Sequence, residues 1–318
     1  MKRFIIKHRI LVALVALLGL GGCAATPVTD SLTASPPRGL PAAVELNDVP
    51  FHAQTRYHCG PAALATVLNV SGRDVSPREL AERVYTPGRN GTLQTEIRTG
   101  TRREGRLALP VRDMTRALSL VAGGHPVLVL QNLGLEFAPQ WHYAVIVGYD
   151  LKGQTVTLRS GTTERLIMPM ETFEHTWRRA KFWGVVVARP DGPVPDGTAA
   201  SDWLAEAHGV ERAGLREQAL TAYDRAASQW PDDASPLVFK ANLLTSYKQL
   251  HKAERALRMA LAREPENATV LNNLAHVLML KNDMGLAEEM ALRAVNAEGA
   301  AAGIAQETLR EIKERHGG

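Results

Sequence analysis

The sequence predicts an α+β domain followed by an all-α solenoid of helical repeats. Residues 45–190 place helix-spaced apolar residues first and strand-like runs later, without strand–helix alternation. Residues 201–318 repeat with a period of 34. A Pro/Gly-rich stretch at 189–200, Arg-Pro-Asp-Gly-Pro-Val-Pro-Asp-Gly-Thr-Ala-Ala, separates them, and 191–200 reads as a linker.

The first 23 residues carry Lys2, Arg3, Lys7 and Arg9, then the apolar run Ile10–Leu20, then Gly21, Gly22 and Cys23. A basic start, a short apolar core and small residues before a cut read as an export signal. The run is too short to span a bilayer comfortably. The ending Leu-Gly-Gly-Cys resembles a bacterial lipobox, which implies acylation of Cys23 at a new N-terminus. With Ala24 rather than aspartate after it, the resemblance implies outer-membrane sorting, facing the periplasm, in a Gram-negative envelope. Residues 24–44, rich in Pro, Ala, Ser and Thr, read as a flexible tether. Its roughly 20 residues would reach about 65–70 Å when extended.

Within 45–190, helical spacing predicts helices over 60–70, 76–84, 92–104 and 111–121. Strands follow at 126–131, 142–149 and 155–158, with Asp150–Gly153 as the turn of a hairpin. A helix near 169–178 and a strand at 182–188 complete this part. In the repeats, Ala219, Ala253 and Ala287 are 34 apart, as are Ala226, Ala260 and Ala294, and Pro231 and Pro265. Small residues let paired helices approach, and the proline closes each unit. Trp203 and Tyr223 take large-residue positions, and Gln306–Arg315 reads as a polar capping helix. The pattern resembles tetratricopeptide repeats, about three of them, which implies a groove for a peptide or protein partner.

The formal charge of the chain is +4, and the four cations of residues 1–23 account for all of it, so its basicity does not indicate nucleic acid. The remainder is segregated: 18 Lys/Arg against 13 Asp/Glu in 45–190, and 14 against 19 in 191–318. That imbalance either helps the halves dock or is solvated surface. Arg98, Arg102, Arg103 and Arg106 suit an anionic surface or, more simply, a solvated helix face.

Only two cysteines occur. With Cys23 acylated, Cys59 has no partner, and a lone thiol in an oxidising compartment is a liability or a nucleophile. Cys59 precedes Gly60, Pro61, Ala62 and Ala63 at the start of a helix, where the dipole favours a thiolate. Gln54 lies five residues upstream, from where its amide can reach an oxyanion. His142 opens a strand downstream and suits a general base. Each has a plainer reading: an inert buried thiol, a core histidine, a loop-bonding amide. Trp141 reads equally as packing or as a lid that excludes water. His52, His58, Cys59 and His142 do not follow usual zinc spacing, so neither metal nor cofactor is expected.

The stretch Gln54-x4-Cys59-Gly60-Pro61, with His142 opening a strand that runs on to Val-Ile-Val-Gly-Tyr, resembles the double-glycine peptidases of bacteriocin exporters, a branch of the papain-like cysteine peptidases. The resemblance covers about 145 residues. It implies that Cys59 is the nucleophile, His142 its base, and Gln54 with the Cys59 N–H the oxyanion donors. The family places an aspartate at the end of the strand after the histidine; here Ser160 occupies that position, with Asp150, Thr162 or a backbone carbonyl as other orienters. The expected function is a lipid-anchored envelope peptidase cleaving a peptide or isopeptide bond, the repeats recruiting substrate or partner. The alternatives are a non-catalytic peptide-binding scaffold on a degenerate peptidase fold, and an acyl transferase sharing the site.

Overall fold

The computed structural model describes residues 25–53, 58–85, 88, 91–297 and 302–316. Gln54, Cys23 and the leader lie outside the described residues. The N-terminal part runs α1 (Pro27–Ala34), β1 (Ala43–Glu45), α2 (Cys59–Val70), α3 (Pro77–Val84), α4 (Gln94–Arg103), β2 (Leu107–Val111) and α5 (Met114–Ala122). It continues through β3 (Val127–Asn132), β4 (Trp141–Asp150), β5 (Thr155–Ser160), β6 (Thr163–Pro169), α6 (Met170–Arg178) and β7 (Gly184–Ala188).

The strands form one antiparallel sheet in the order β2-β7-β3-β4-β5-β6, with β1 pairing with the distal end of β4. Both faces are covered, which is why Val127–Asn132 reads as an unbroken buried run rather than an alternation. Period-2 geometry sends Leu128, Leu130, Tyr143, Val145 and Val147 to one face, against Ala63, Leu64, Val67 and Leu68 of α2 and Leu80 and Ile97 behind it. Val127, Val129, Ala144 and Ile146 take the other, against Leu32 of α1, Leu118 of α5 and Phe173 and Trp177 of α6.

Local chemistry sets several helix starts. Ser76 and Glu79 form a reciprocal capping box with Pro77 in the first turn of α3, and the Asp113 carboxylate accepts the Arg116 N–H ahead of α5. The helix expected from 111 therefore begins at Met114, and Leu107–Val111 is a strand that periodicity alone missed. Strand β6 was also missed because as an edge strand it is largely exposed and lacks a clean alternation.

The segment expected to be a tether is docked. Residues 27–34 form α1, with Thr29 and Leu32 buried, and Ala43–Glu45 add a strand. The cause is a buried carboxylate: Glu174 of α6 accepts the Thr29 N–H at 2.8 Å and the Thr29 hydroxyl at 2.7 Å. Composition alone does not reveal a partner 145 residues away.

Helices α7 (Ala200–Arg212), α8 (Arg216–Gln229), α9 (Ser235–Ser246), α10 (Leu250–Arg263), α11 (Ala268–Leu280) and α12 (Met284–Asn296) form three antiparallel pairs. The six period-defining alanines are all fully buried where paired helices cross. Helix α13 (Ala302–His316) caps the stack, burying Ala305 and Ile312, so it carries an apolar seam beside its polar face.

Two of the arginines of α4 bind a carboxylate of the same chain rather than an external anionic surface. Arg98 and Arg102 both grip Glu206 of α7, whose side chain is fully buried; Arg102 does so with two bonds of 2.8 Å. Trp203 and Val210 of α7 join the apolar cluster of the sheet. The first repeat is thus packed onto the α+β domain through a charged centre within an apolar ring. Arg106 donates instead to the Ser71 carbonyl at 3.0 Å, and Arg103 is exposed.

Candidate active site

Helix α2 begins at Cys59 with no side-chain cap, leaving its first N–H groups available. Burial pushes the Cys59 thiol up, while the backbone N–H groups of Tyr143, Gly60 and Cys59 itself face the sulfur and pull the other way. The Tyr143 contact sets the sulfur beside the first residues of β4, next to His142. Pro61 to Leu68 are all buried, so the helix is held rigidly against the sheet.

Gly60 is needed for this placement. A Cβ there would lie 2.5 Å from both Cβ and Oγ1 of Thr92. The Thr92 carbonyl accepts the Tyr143 hydroxyl at 3.1 Å, and Tyr143 meets Trp183 edge-on at 5.8 Å between ring centres. Thr92 and Tyr143 were not singled out from the sequence. The signal for Tyr143 was available in the period of two, which turns the residue after His142 toward the helix.

Nε2 of His142 and Oγ of Ser160 are 2.8 Å apart. They meet because His142 shares a sheet face with Ala144, and β5 runs antiparallel with Val145 opposite Arg159, bringing Ser160 diagonally across. Ser160 is 7 % exposed. Burial pushes the His142 imidazole below its ordinary value. Across β3, Gln131 sits opposite His142; its amide donates to the Thr176 hydroxyl at 2.6 Å while Oε1 is buried without a partner.

The other candidates fall elsewhere. Asp150 accepts the Gly153 N–H at 2.9 Å in its turn, at the far end of β4 and about 27 Å along the strand from His142. Thr162 is exposed in the next turn. His52 pairs with Asn69 at 2.8 Å and His58 stacks on Tyr85, so the histidines of the rejected metal set are engaged separately. Trp141 is half-exposed at the rim rather than packed.

The protonation states run opposite to the expectation of a depressed thiol. Desolvation lifts Cys59 and lowers His142, and Ser160 brings no charge to hold an imidazolium. Both shifts favour the uncharged forms, a thiol at Cys59 and an imidazole at His142. Such a pair suits general-base catalysis, in which the proton moves as the sulfur attacks.

In the repeats, a cleft of about 790 Å³ lies between α8, α9 and α10, lined by Lys240, Lys252, Arg255 and Met259 among others. None of the helices among the described residues is long and apolar enough to cross a membrane.

Residues 46–185 match the Peptidase_C39 like family. A TPR repeat-containing protein of Pseudomonas aeruginosa, PA4667, is 32% identical over 191 residues, 60% of this chain; the chain spans only 27% of that relative. A protein of Methanothermobacter thermautotrophicus is 32% identical over 129 residues, 40% of this chain and 82% of its own length. Among solved structures, a C39-like peptidase from Bacillus anthracis aligns with a TM-score of 0.41 at 18% identity, covering 46% of this chain and 98% of that one. The first TPR of Spaghetti, bound to an HSP90 peptide, aligns at 0.35 and 15% identity, covering 37% and 96%. Residues 46–185 are thus a Peptidase_C39-like domain, and the chain continues into a tetratricopeptide-type solenoid.

Proposed function

We propose that this protein is a lipid-anchored cysteine peptidase of the cell envelope that hydrolyses a peptide or isopeptide bond. The observation that carries the reading is the His142–Ser160 contact of 2.8 Å, formed where the Cys59 thiol meets the adjoining residue of β4. With Nε2 engaged by Ser160, Nδ1 is the nitrogen left for the thiol proton. The sulfur attacks the carbonyl carbon as its proton passes to His142. The oxyanion takes the Cys59 N–H and the Gln54 amide. The C–N bond then breaks, His142 protonates the departing amine, and water, deprotonated by the same imidazole, cleaves the thioester.

Cys23 carries the lipid and holds the enzyme at the outer membrane, facing the periplasm. The repeats recruit the substrate or a partner protein. Their basic cleft sits within a half of the chain that holds 14 Lys/Arg against 19 Asp/Glu, which favours an acidic segment. The test is hydrolysis of an envelope-protein digest, with products identified by mass. New peptide ends made by the parent and absent with Cys59→Ala and His142→Ala support a hydrolase. Products joined to an amine would make it an acyl transferase. Products identical in parent and variants would leave the site a binding groove.

A further inference from the structure

We propose that the loop between β3 and β4, residues 133–140, docks into the lipid surface and presses the active-site end of the domain against the membrane. The inference rests on the reading of Cys23 as a lipid anchor. It begins with where the chain leaves the enzyme. Arg178, at the end of α6, donates to the Ala25 carbonyl at 2.7 Å, so the polypeptide is held as far as residue 25. Cys23 is two residues further, within about 8 Å of Ala25 by Cα spacing. Its neighbour in the clamp, Arg179, donates to the Asn132 carbonyl at 3.1 Å, at the root of the loop. Ala25, where the described chain begins, the loop and His142 therefore share one end of the sheet.

The loop is built to present apolar side chains. Oδ1 of Asn132 accepts the N–H groups of Gly134 at 3.0 Å and Gln140 at 2.9 Å, and Leu135 bridges to Ala138. This framework holds Phe137 at 86% exposure and Leu135 at 57%, with Leu133 and Trp141 extending the patch. An apolar patch of this kind held in water marks a contact surface. Its continuity with the end from which the chain leaves toward Cys23 selects the bilayer as occupant. Trp141, at the margin, has the amphipathic ring favoured at membrane interfaces. The active site then faces substrates held at, or emerging from, the membrane.

The test uses the full chain, processed in a bacterial envelope and reconstituted in vesicles of phosphatidylethanolamine and phosphatidylglycerol. The photoreactive residue p-benzoylphenylalanine replaces Phe137, or Leu286 on α12 as a control, and adducts are located by peptide mass. Unchanged alkylation of Cys59 shows that both proteins are folded. Phospholipid adducts at 137 at least tenfold above those at 286, on chains acylated at Cys23, are the expected result. Acylated chains with equal adducts at both positions, or with protein rather than lipid at 137, overturn the inference and spare the anchor. Chains without acyl on Cys23 overturn both.

Discussion

Ser160→Asp tests the neutral-pair chemistry most directly, because it supplies the charge that the site lacks. Ser160 Oγ lies 2.8 Å from His142 Nε2, so a carboxylate there sits about 4 Å from the centre of an imidazolium. At an effective dielectric of about 20 that attraction is worth about 4 kcal/mol, or about three pKa units. The position is nearly buried, so the carboxylate loses hydration and part of the gain is returned. A net rise of about one to three units for His142 remains. The imidazolium so formed favours the Cys59 thiolate in turn. Iodoacetamide alkylation of the Cys59 peptide, followed by mass against pH, reads this out. The parent, with its thiol lifted by burial, should alkylate with a midpoint above the ordinary value of about 8.5. Ser160→Asp should alkylate at pH 6 roughly ten- to a thousandfold faster, and the gain should vanish in Ser160→Asp/His142→Ala. Superimposable profiles for Ser160→Asp and parent would refute the reasoning, since they would mean that position 160 does not control the imidazole charge.

Three other perturbations address the scaffold. Gly60→Ala forces a Cβ against the stiff, β-branched Thr92 and should cost about 1–3 kcal/mol in urea unfolding, with slower Cys59 alkylation; neutrality would show that Thr92 yields. Glu206→Ala orphans Arg98 and Arg102, whose side chains keep 40% and 24% exposure, so the loss should be about 2 kcal/mol rather than the 3–5 of a wholly buried pair. Proteolysis within 189–200 should accelerate with it, and an unchanged cleavage rate would argue against docking of the repeats. Glu174→Ala removes the oxygen that accepts both Thr29 donors and should expose the amides of residues 27–34 to hydrogen exchange without altering Cys59 alkylation; retained protection would show that Leu32 alone holds α1.

The sequence by itself determined the helix that starts at Cys59, the strand that His142 opens, the position of Ser160 across from it and the 34-residue repeat. These are encoded by period and spacing within short stretches, where each side chain's direction follows from helix or strand geometry. Only the tertiary structure decided what depends on partners far away in the chain. Residues 24–44 look like a tether until Glu174 binds Thr29, and Arg98 and Arg102 of α4 look solvated until α7 brings Glu206. The same holds for the protonation of the pair. A helix start predicts a favoured thiolate, but desolvation by the surrounding sheet outweighs it, and no local pattern records how much water a fold removes.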